Sequence, residues 1–62
     1  MELESKILVK TKLGNKICVI DDITETTVHF KNKKCGLTVN KNRIRKLSKT
    51  YRGAKYVYVS FN

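Results

Sequence analysis

Proline and tryptophan are absent from this sequence, glycine occurs only three times, and no segment is of low complexity. Such a composition contains no candidate linker, and 62 residues suffice for one domain at most. We therefore expect residues 1–62 to form a single small domain. A chain of this length buries only about 60% of the surface that its unfolded form exposes, so we expect a narrow margin of stability.

Residues that hold metals are also scarce. Cys18, Cys35 and the single histidine, His29, make fewer than the four ligands of a tetrahedral metal site. We therefore expect no metal, no cofactor and two free thiols, both in small and partly buried side chains. His29 has only Asp21 or Glu25 to orient it as a general base, so the sequence does not predict an enzyme.

Long apolar runs are missing too. No stretch approaches the length of a membrane-spanning helix, and the first ten residues have neither the basic start nor the apolar core of a signal peptide. We therefore expect a cytoplasmic protein that does not contact membranes. Exposed strand edges and a small core leave both a monomer and a homodimer open.

Acidic residues are absent from the whole second half of the chain. Residues 31 to 62 carry ten Lys and Arg, a formal charge of +10. Residues 1 to 30 carry four lysines and five acids, a formal charge of −1, so the whole chain has a formal charge of +9. A bound polyanion would relieve the repulsion within the basic half. The sequence therefore predicts a small nucleic-acid-binding protein, with DNA and RNA both open. The alternative is an inhibitor or adaptor that docks its basic face on an acidic surface of another protein.

The apolar residues that are present alternate with polar ones in short runs, which is typical of β-strands. Gly14-Asn15 predicts a hairpin turn between the first two strands, and Asn40 predicts the cap of a short helical turn. We predict strands at residues 6 to 13, 16 to 23, 27 to 31, 35 to 40 and 55 to 61, with one or two helical turns in residues 41 to 47.

The same alternation predicts which side chains form the core. We expect the inward residues to be Ile7, Val9, Ile17, Val19, Val28, Phe30, Leu37, Val39, Ile44, Leu47, Val57 and Val59, with Phe61 at the end of the last strand. By the same pleat, Tyr56 and Tyr58 are expected to face outward together. Gly36 within the fourth strand predicts a bulge or a close approach of another group to the backbone.

The order of these elements resembles that of SH3-like and Sm-like small β-barrels. The resemblance lies in the run KTKLGNKICVIDDITETTVHFKNKKCGLTVNKNRIRKL, which has a strand, a glycine turn, a long bent strand, a short strand and an isoleucine-bearing turn. It implies an all-β fold, a small five-stranded SH3-like barrel with a short helical turn before the last strand, and first and last strands that are neighbours. Such barrels bind DNA, RNA or peptides, so the resemblance does not select the ligand.

The candidate binding residues are of two kinds. Lysines and arginines would contact phosphates, and tyrosines would stack on unpaired nucleobases. They are Lys10, Lys12, Lys31, Lys33, Lys34, Lys41, Arg43, Arg45, Lys46, Lys49, Tyr51, Arg52, Lys55, Tyr56 and Tyr58. The alternative for the bases is a solvated charged loop, and for the tyrosines a second apolar surface or a set of cross-strand pairs. The pattern leaves duplex and single-stranded ligands both open.

Overall fold

The structure is all-β, as the alternation predicts. The computed structural model describes residues 1 to 60, so the inward position expected for Phe61 lies outside the described residues. The elements are β1 (Lys6–Thr11), β2 (Gly14–Ile23), β3 (Thr27–Lys31), β4 (Gly36–Asn40), a 3₁₀ turn (Lys41–Arg43), β5 (Ile44–Tyr51) and β6 (Ala54–Val59). The helical turn is confirmed at Lys41, but the side chain of Asn40 makes no capping hydrogen bond.

The strands form one open sheet in the order β4-β3-β2-β1-β6-β5. All neighbours are antiparallel except β1 and β6, which are parallel. The closed five-stranded barrel is therefore wrong in detail, although the first and last strands are indeed neighbours. The additional strand is β5, where Ile44 and Leu47 suggested helix by their spacing of three. That spacing falls in a strand whose pairing with β6 shifts register between Lys46 and Tyr51.

The sheet curls strongly on itself. Phe30 on β3 and Tyr58 on β6 are three strands apart, which corresponds to about 14 Å in a flat sheet. Their ring centroids are only 5.8 Å apart. A bulge between Ile20 and Asp22 adds to the local twist of β2. One face of the sheet is therefore concave and encloses the core, and the other is convex.

The concave face contains the main core. Its buried residues are Ile7, Val9, Cys18, Ile20, Val28 and Phe30, against which Ile23, Val39, Ile44, Tyr56 and Tyr58 pack. The predicted core positions on β1 and β3 are confirmed. On the edge strand β4, however, Leu37 is 43% exposed, because no further strand covers that side.

The predicted inward face of β2 is wrong by one residue. Cys18 and Ile20 are buried, whereas Ile17 is half-buried and Val19 is 38% exposed. Four consecutive apolar residues occupy positions 17 to 20, so composition does not distinguish the two faces. Pairing with β1 determines which face of β2 is buried, because Cys18 stands opposite the inward Ile7.

The predicted inward face of β6 is inverted for a similar reason. In the parallel pairing with β1, Tyr56 stands beside Ile7 and Tyr58 beside Val9, so both tyrosines share the concave face. Val57 and Val59 consequently lie on the convex face, where Val59 is 45% exposed. The tyrosines were expected to face outward, and the structure corrects this.

The convex face has a smaller apolar cluster of its own. Leu8 is buried there with 4% of its surface exposed, and the sheet register sets Ile17 and Val57 on either side of it. Both neighbours are half-buried, as is Leu47 on β5. Val57, which was predicted for the main core, thus contributes to this second cluster instead.

The first hairpin turns at Lys12 and Leu13, two residues earlier than Gly14-Asn15 predicts. Thr11 pairs with Gly14, and the Thr11 hydroxyl donates to the Gly14 carbonyl (2.7 Å) while accepting from the Leu13 amide (3.2 Å). Gly14 has φ +131°, a conformation that L side chains rarely adopt. Glycine is therefore needed at position 14, directly after the turn, and not within the turn itself. Leu13, at the tip of the turn, is 97% exposed.

Candidate nucleic-acid interface

The largest group of exposed basic residues follows the edge strand β5. We call this group the basic edge. It comprises Arg43 from the 3₁₀ turn, Arg45, Lys46 and Lys49 from β5, and Arg52 from the turn after it. All five side chains are exposed. Among the strands of residues 1 to 60, β5 pairs only with β6, so none of them covers this side of the sheet.

The basic edge projects charge to both sides of the sheet. Arg45 stands opposite Val57 and therefore lies on the convex side, whereas Lys46 stands opposite Tyr56 on the concave side. Successive strand residues point to opposite faces, so neighbouring bases do not crowd one another. Arg45 and Lys46 therefore present positive charge on opposite faces of the sheet at this edge.

Acids do not neutralise the basic edge. Within residues 1 to 60, ion pairs involve only Asp21, which contacts His29 and lies 3.7 Å from the Lys31 ammonium. Asp21 belongs to β2, which β1 and β6 separate from β5 in the sheet. The five bases of the edge therefore carry uncompensated charge.

Lys6 is a base at this end of the molecule that the sequence did not single out. A Cβ atom on Gly53 would lie 3.3 Å from Lys6 Cδ and 3.6 Å from Nζ, so this lysine reaches the turn between β5 and β6. Continuing the register of β1 and β6 by one residue also sets Lys6 beside Lys55. Lys6 belongs to the half of the chain that contains the acids, and only the parallel pairing brings it here.

The remaining predicted bases lie on other elements. Lys31, Lys33 and Lys34 surround the tip of the β3–β4 hairpin. Asn32 shapes that tip, because its side-chain oxygen accepts from the Lys34 amide (2.9 Å) and the Cys35 amide (3.0 Å). The other predicted basic residues are Lys10 on β1, Lys12 in the first turn, the half-buried Lys41 in the 3₁₀ turn and the exposed Lys55 on β6.

The three tyrosines do not form a common stacking surface. Tyr56 and Tyr58 are half-buried and pack against the core, instead of facing outward as expected. Lys10 pairs with Val59, on the face opposite Tyr58. Tyr51 is 41% exposed, and the Arg52 guanidinium lies over its ring at 5.5 Å from the centroid.

The only histidine sits in a small polar cluster on the convex face. His29 Nδ1 contacts Asp21 Oδ1, and this hydrogen bond is the main reason why the pKa of Asp21 lies below its ordinary value. A Cβ atom on Gly36 would lie 2.9 Å from His29 Nε2, which confirms the close approach expected at this glycine. Among residues 1 to 60, no three His, Cys, Asp or Glu side chains are grouped to hold a metal ion.

The two cysteines differ in their environments. Cys18 is buried, and burial is the main reason why the pKa of its thiol is raised. Cys35 is exposed, in contrast to the partly buried position expected for it. Both line an apolar cavity of about 130 Å³ next to Phe30 and Asn32, and both are free thiols.

Comparison with protein-family models, with curated proteins and with solved structures finds no match to this chain. Of the resemblance to SH3-like and Sm-like barrels, the structure therefore shows only the coarser feature, a small all-strand domain. In the described part of the chain, no helix has the length and apolarity needed to cross a membrane.

Proposed function

We propose that this protein binds nucleic acid through the phosphate backbone, with the basic edge as its principal contact surface. The observation that carries the proposal is the group of five exposed basic residues in and beside β5. None of them forms an ion pair within residues 1 to 60. A polyanion lying along this strand would supply the charge that the protein itself lacks there.

The dimensions of β5 suit an extended polyanion. Its eight residues span roughly 26 Å at about 3.3 Å per residue, and the flanking Arg43 and Arg52 extend the row further. Neutralising about five phosphates would release their condensed counterions. The logarithm of the binding constant should then fall with the logarithm of salt concentration with a slope of about −4 to −5 on a duplex.

A pair of charge-matched variants tests the proposal. The first replaces Arg43, Arg45 and Lys46 with Gln, and the second replaces Lys31, Lys33 and Lys34 with Gln. Each removes three charges, so an effect of net charge alone would be equal in both. We expect the first variant to lose most of the affinity, measured by fluorescence anisotropy with labelled nucleic acid, and to flatten the salt slope by about three contacts.

Two results would contradict the proposal. One is an affinity that does not depend on salt, and the other is full binding after Arg43, Arg45 and Lys46 have all been neutralised. Both variants should first be shown to be folded by circular dichroism. Their substitutions lie on exposed side chains, so we expect the fold to be retained.

A second candidate function is the docking of an acidic protein segment by strand addition at β4. This strand is the other edge of the sheet, and its residues Gly36–Asn40 carry no charge. Charged side chains on an edge discourage strand pairing, so β4 is the less protected edge. Lys33, Lys34 and Lys41 flank it and would favour acidic residues at both ends of an added segment.

Hydrogen exchange distinguishes this second candidate from the first. A Glu-rich extended peptide that pairs with β4 should slow amide exchange within residues 36 to 40. Nucleic acid bound at the basic edge should instead leave those amides unchanged. Failure of DNA and RNA to bind at low salt, together with protection of β4 by the peptide, would make protein docking the function.

A further inference from the structure

The positions of the aromatic rings bear on which form of nucleic acid the basic edge binds. Proteins that hold single strands combine a basic groove with several aromatic side chains on which successive bases stack. In this structure Tyr56 and Tyr58 belong to the packing of the core, with Tyr58 against Phe30 at 5.8 Å. These two rings therefore offer a ligand less exposed area than Tyr51 does, although Tyr58 lines an open cavity together with Arg43.

Tyr51 is the one tyrosine on the basic edge with a substantial exposed area. The guanidinium of Arg52 already lies over its ring, 5.5 Å from the centroid. A base that stacked on this ring would have to displace the guanidinium or use the opposite face. One stack would add about 1 to 3 kcal/mol, whereas single-strand binding sites use a series of them.

Without a series of stacks, binding depends on charge, and charge favours the denser polyanion. Double-stranded DNA carries one charge per about 1.7 Å of helix axis. The salt slope per phosphate contact is about −0.9 for a duplex and about −0.7 for a single strand. For about five contacts, the two slopes are roughly −4.5 and −3.5. If the two affinities converge near 1 M salt, the duplex binds about tenfold tighter at 0.1 M.

We propose that the basic edge binds double-stranded nucleic acid in preference to single strands, an inference that rests on the proposed nucleic-acid function. The contacts are made by Arg43, Arg45, Lys46, Lys49 and Arg52 with backbone phosphates. Since these contacts are made with phosphates alone, DNA and RNA duplexes share the chemistry that the edge recognises. Contacts with phosphates carry no sequence information, so the proposed preference is for the duplex form and not for a sequence.

Anisotropy titrations of the intact protein test this inference. The probes are a labelled 20-base-pair DNA duplex, one of its strands alone, and an RNA duplex of the same sequence, each at several salt concentrations. We expect the duplex to bind about tenfold tighter than its single strand near 0.1 M salt. Comparison of the DNA and RNA duplexes then shows whether helix geometry matters in addition to charge.

Two variants examine the aromatic contribution directly. Tyr51→Leu removes the exposed ring and keeps an apolar side chain, and we expect its affinity for either probe to change less than twofold. Phe61→Leu is tested alongside it, because Phe61 lies outside the described residues. A loss of single-strand affinity of tenfold or more in either variant would show that bases stack on that ring and would overturn the inference.

The outcomes separate the two proposals. Single-strand binding that equals or exceeds duplex binding overturns the duplex preference and leaves nucleic-acid binding as the function. Failure of all three probes to bind at low salt overturns the proposed function itself and, with it, this inference. Tighter duplex binding that weakens after neutralisation of Arg45 and Lys46 supports both.

Discussion

The ring of Tyr58 on β6 packs against the ring of Phe30 on β3, with centroids 5.8 Å apart and planes inclined by 52°. This tilted contact joins two strands that are not neighbours in the sheet. Aromatic pairs in such arrangements contribute about 0.5 to 1.5 kcal/mol beyond the area that they bury. The contact thus joins two distant strands of the open, curled sheet across its core.

Replacing Phe30 should therefore destabilise the protein severely. Phe30→Ala removes a side chain that is 2% exposed, and we expect a loss of about 3 to 5 kcal/mol of unfolding free energy, measured by urea denaturation. Leu13→Ala is the matched control, because Leu13 is 97% exposed and its replacement should change stability by less than about 0.5 kcal/mol. Equal effects of the two substitutions would contradict the core described above.

The environment of Gly36 predicts an energetic coupling with His29. An added Cβ would lie 2.9 Å from Nε2 and 3.1 Å from Cε1 of the imidazole, which the Asp21 carboxylate holds on its other side. We expect Gly36→Ala to cost about 1 kcal/mol of unfolding free energy. In a His29→Ala background the same substitution should be neutral or stabilising. A double-mutant cycle measures the difference, and simple additivity of the two changes would contradict the contact.

Stability should fall in acid through Asp21. Its pKa in the folded protein lies below the ordinary value of 3.8, chiefly because His29 donates a hydrogen bond to it. The unfolded chain therefore binds a proton more readily, and the stabilisation is present above pH 3.8 and is lost as the pH falls through the folded-state pKa. Thermal unfolding between pH 2 and pH 6 should show a smaller acid-dependent drop in Asp21→Asn than in the parent protein.

Asp22→Asn provides the control for that measurement. It removes the same charge from the adjacent position, where the side chain forms no ion pair within the described residues. We expect its acid-dependent drop in Tm to match that of the parent protein. If Asp21→Asn and Asp22→Asn behave alike, the acid dependence reflects general charge repulsion and not the contact with His29.

The two cysteines should remain unpaired under mild oxidation. Continuing the pairing of Val19 with Lys31 by one step sets Cys18 opposite Asn32, and the Asn32 amide in turn donates to the Cys35 carbonyl (2.9 Å). Asn32 thus lies between the two cysteines across the sheet. Two strand spacings of a regular sheet correspond to about 9 to 10 Å between their Cα atoms. A disulfide needs no more than about 7 Å. Mass spectrometry after treatment with oxidised glutathione should show no loss of two hydrogens.

Alkylation provides a second test of the same arrangement. Iodoacetamide should modify the exposed Cys35 quickly and the buried Cys18 only slowly, because burial raises the pKa of the Cys18 thiol. Cys35→Ala and Cys18→Val should each leave nucleic-acid affinity within a few fold. Loss of binding accompanied by loss of stoichiometric zinc would contradict the expectation that no metal is held.

Much of the local structure follows from the sequence because its causes are local. Alternating runs such as that around Val28 and Phe30 form strands in the structure, and the 3₁₀ turn begins at Lys41 as the break in alternation indicates. The candidate bases were identifiable because a segment without acids is evident from composition alone. The close approach at Gly36 was likewise signalled by a glycine inside a strand.

The missed features depend on pairing between distant segments. The sequence predicts helical turns in residues 41 to 47 and no strand up to residue 54, because β5, whose register shifts between Lys46 and Tyr51, lacks a regular two-residue period. Lys6 was overlooked because it reaches the basic edge only through the parallel pairing of β1 with β6. No pattern within either segment indicates which partner strand it will meet.

The alternation of apolar and polar residues is enough to predict strands, and composition is enough to show that one half of the chain carries all the net positive charge. Which faces are buried depends instead on how the strands pair. In β2 and β6, apolar or aromatic side chains occupy both faces, so the two-residue period identifies a strand without identifying its inner side. Pairing with the inward Ile7 and Val9 settles that choice and turns Cys18, Tyr56 and Tyr58 toward the core. Those tyrosines pack against the core for that reason, and the proposed binding of nucleic acid at the basic edge depends mainly on charge.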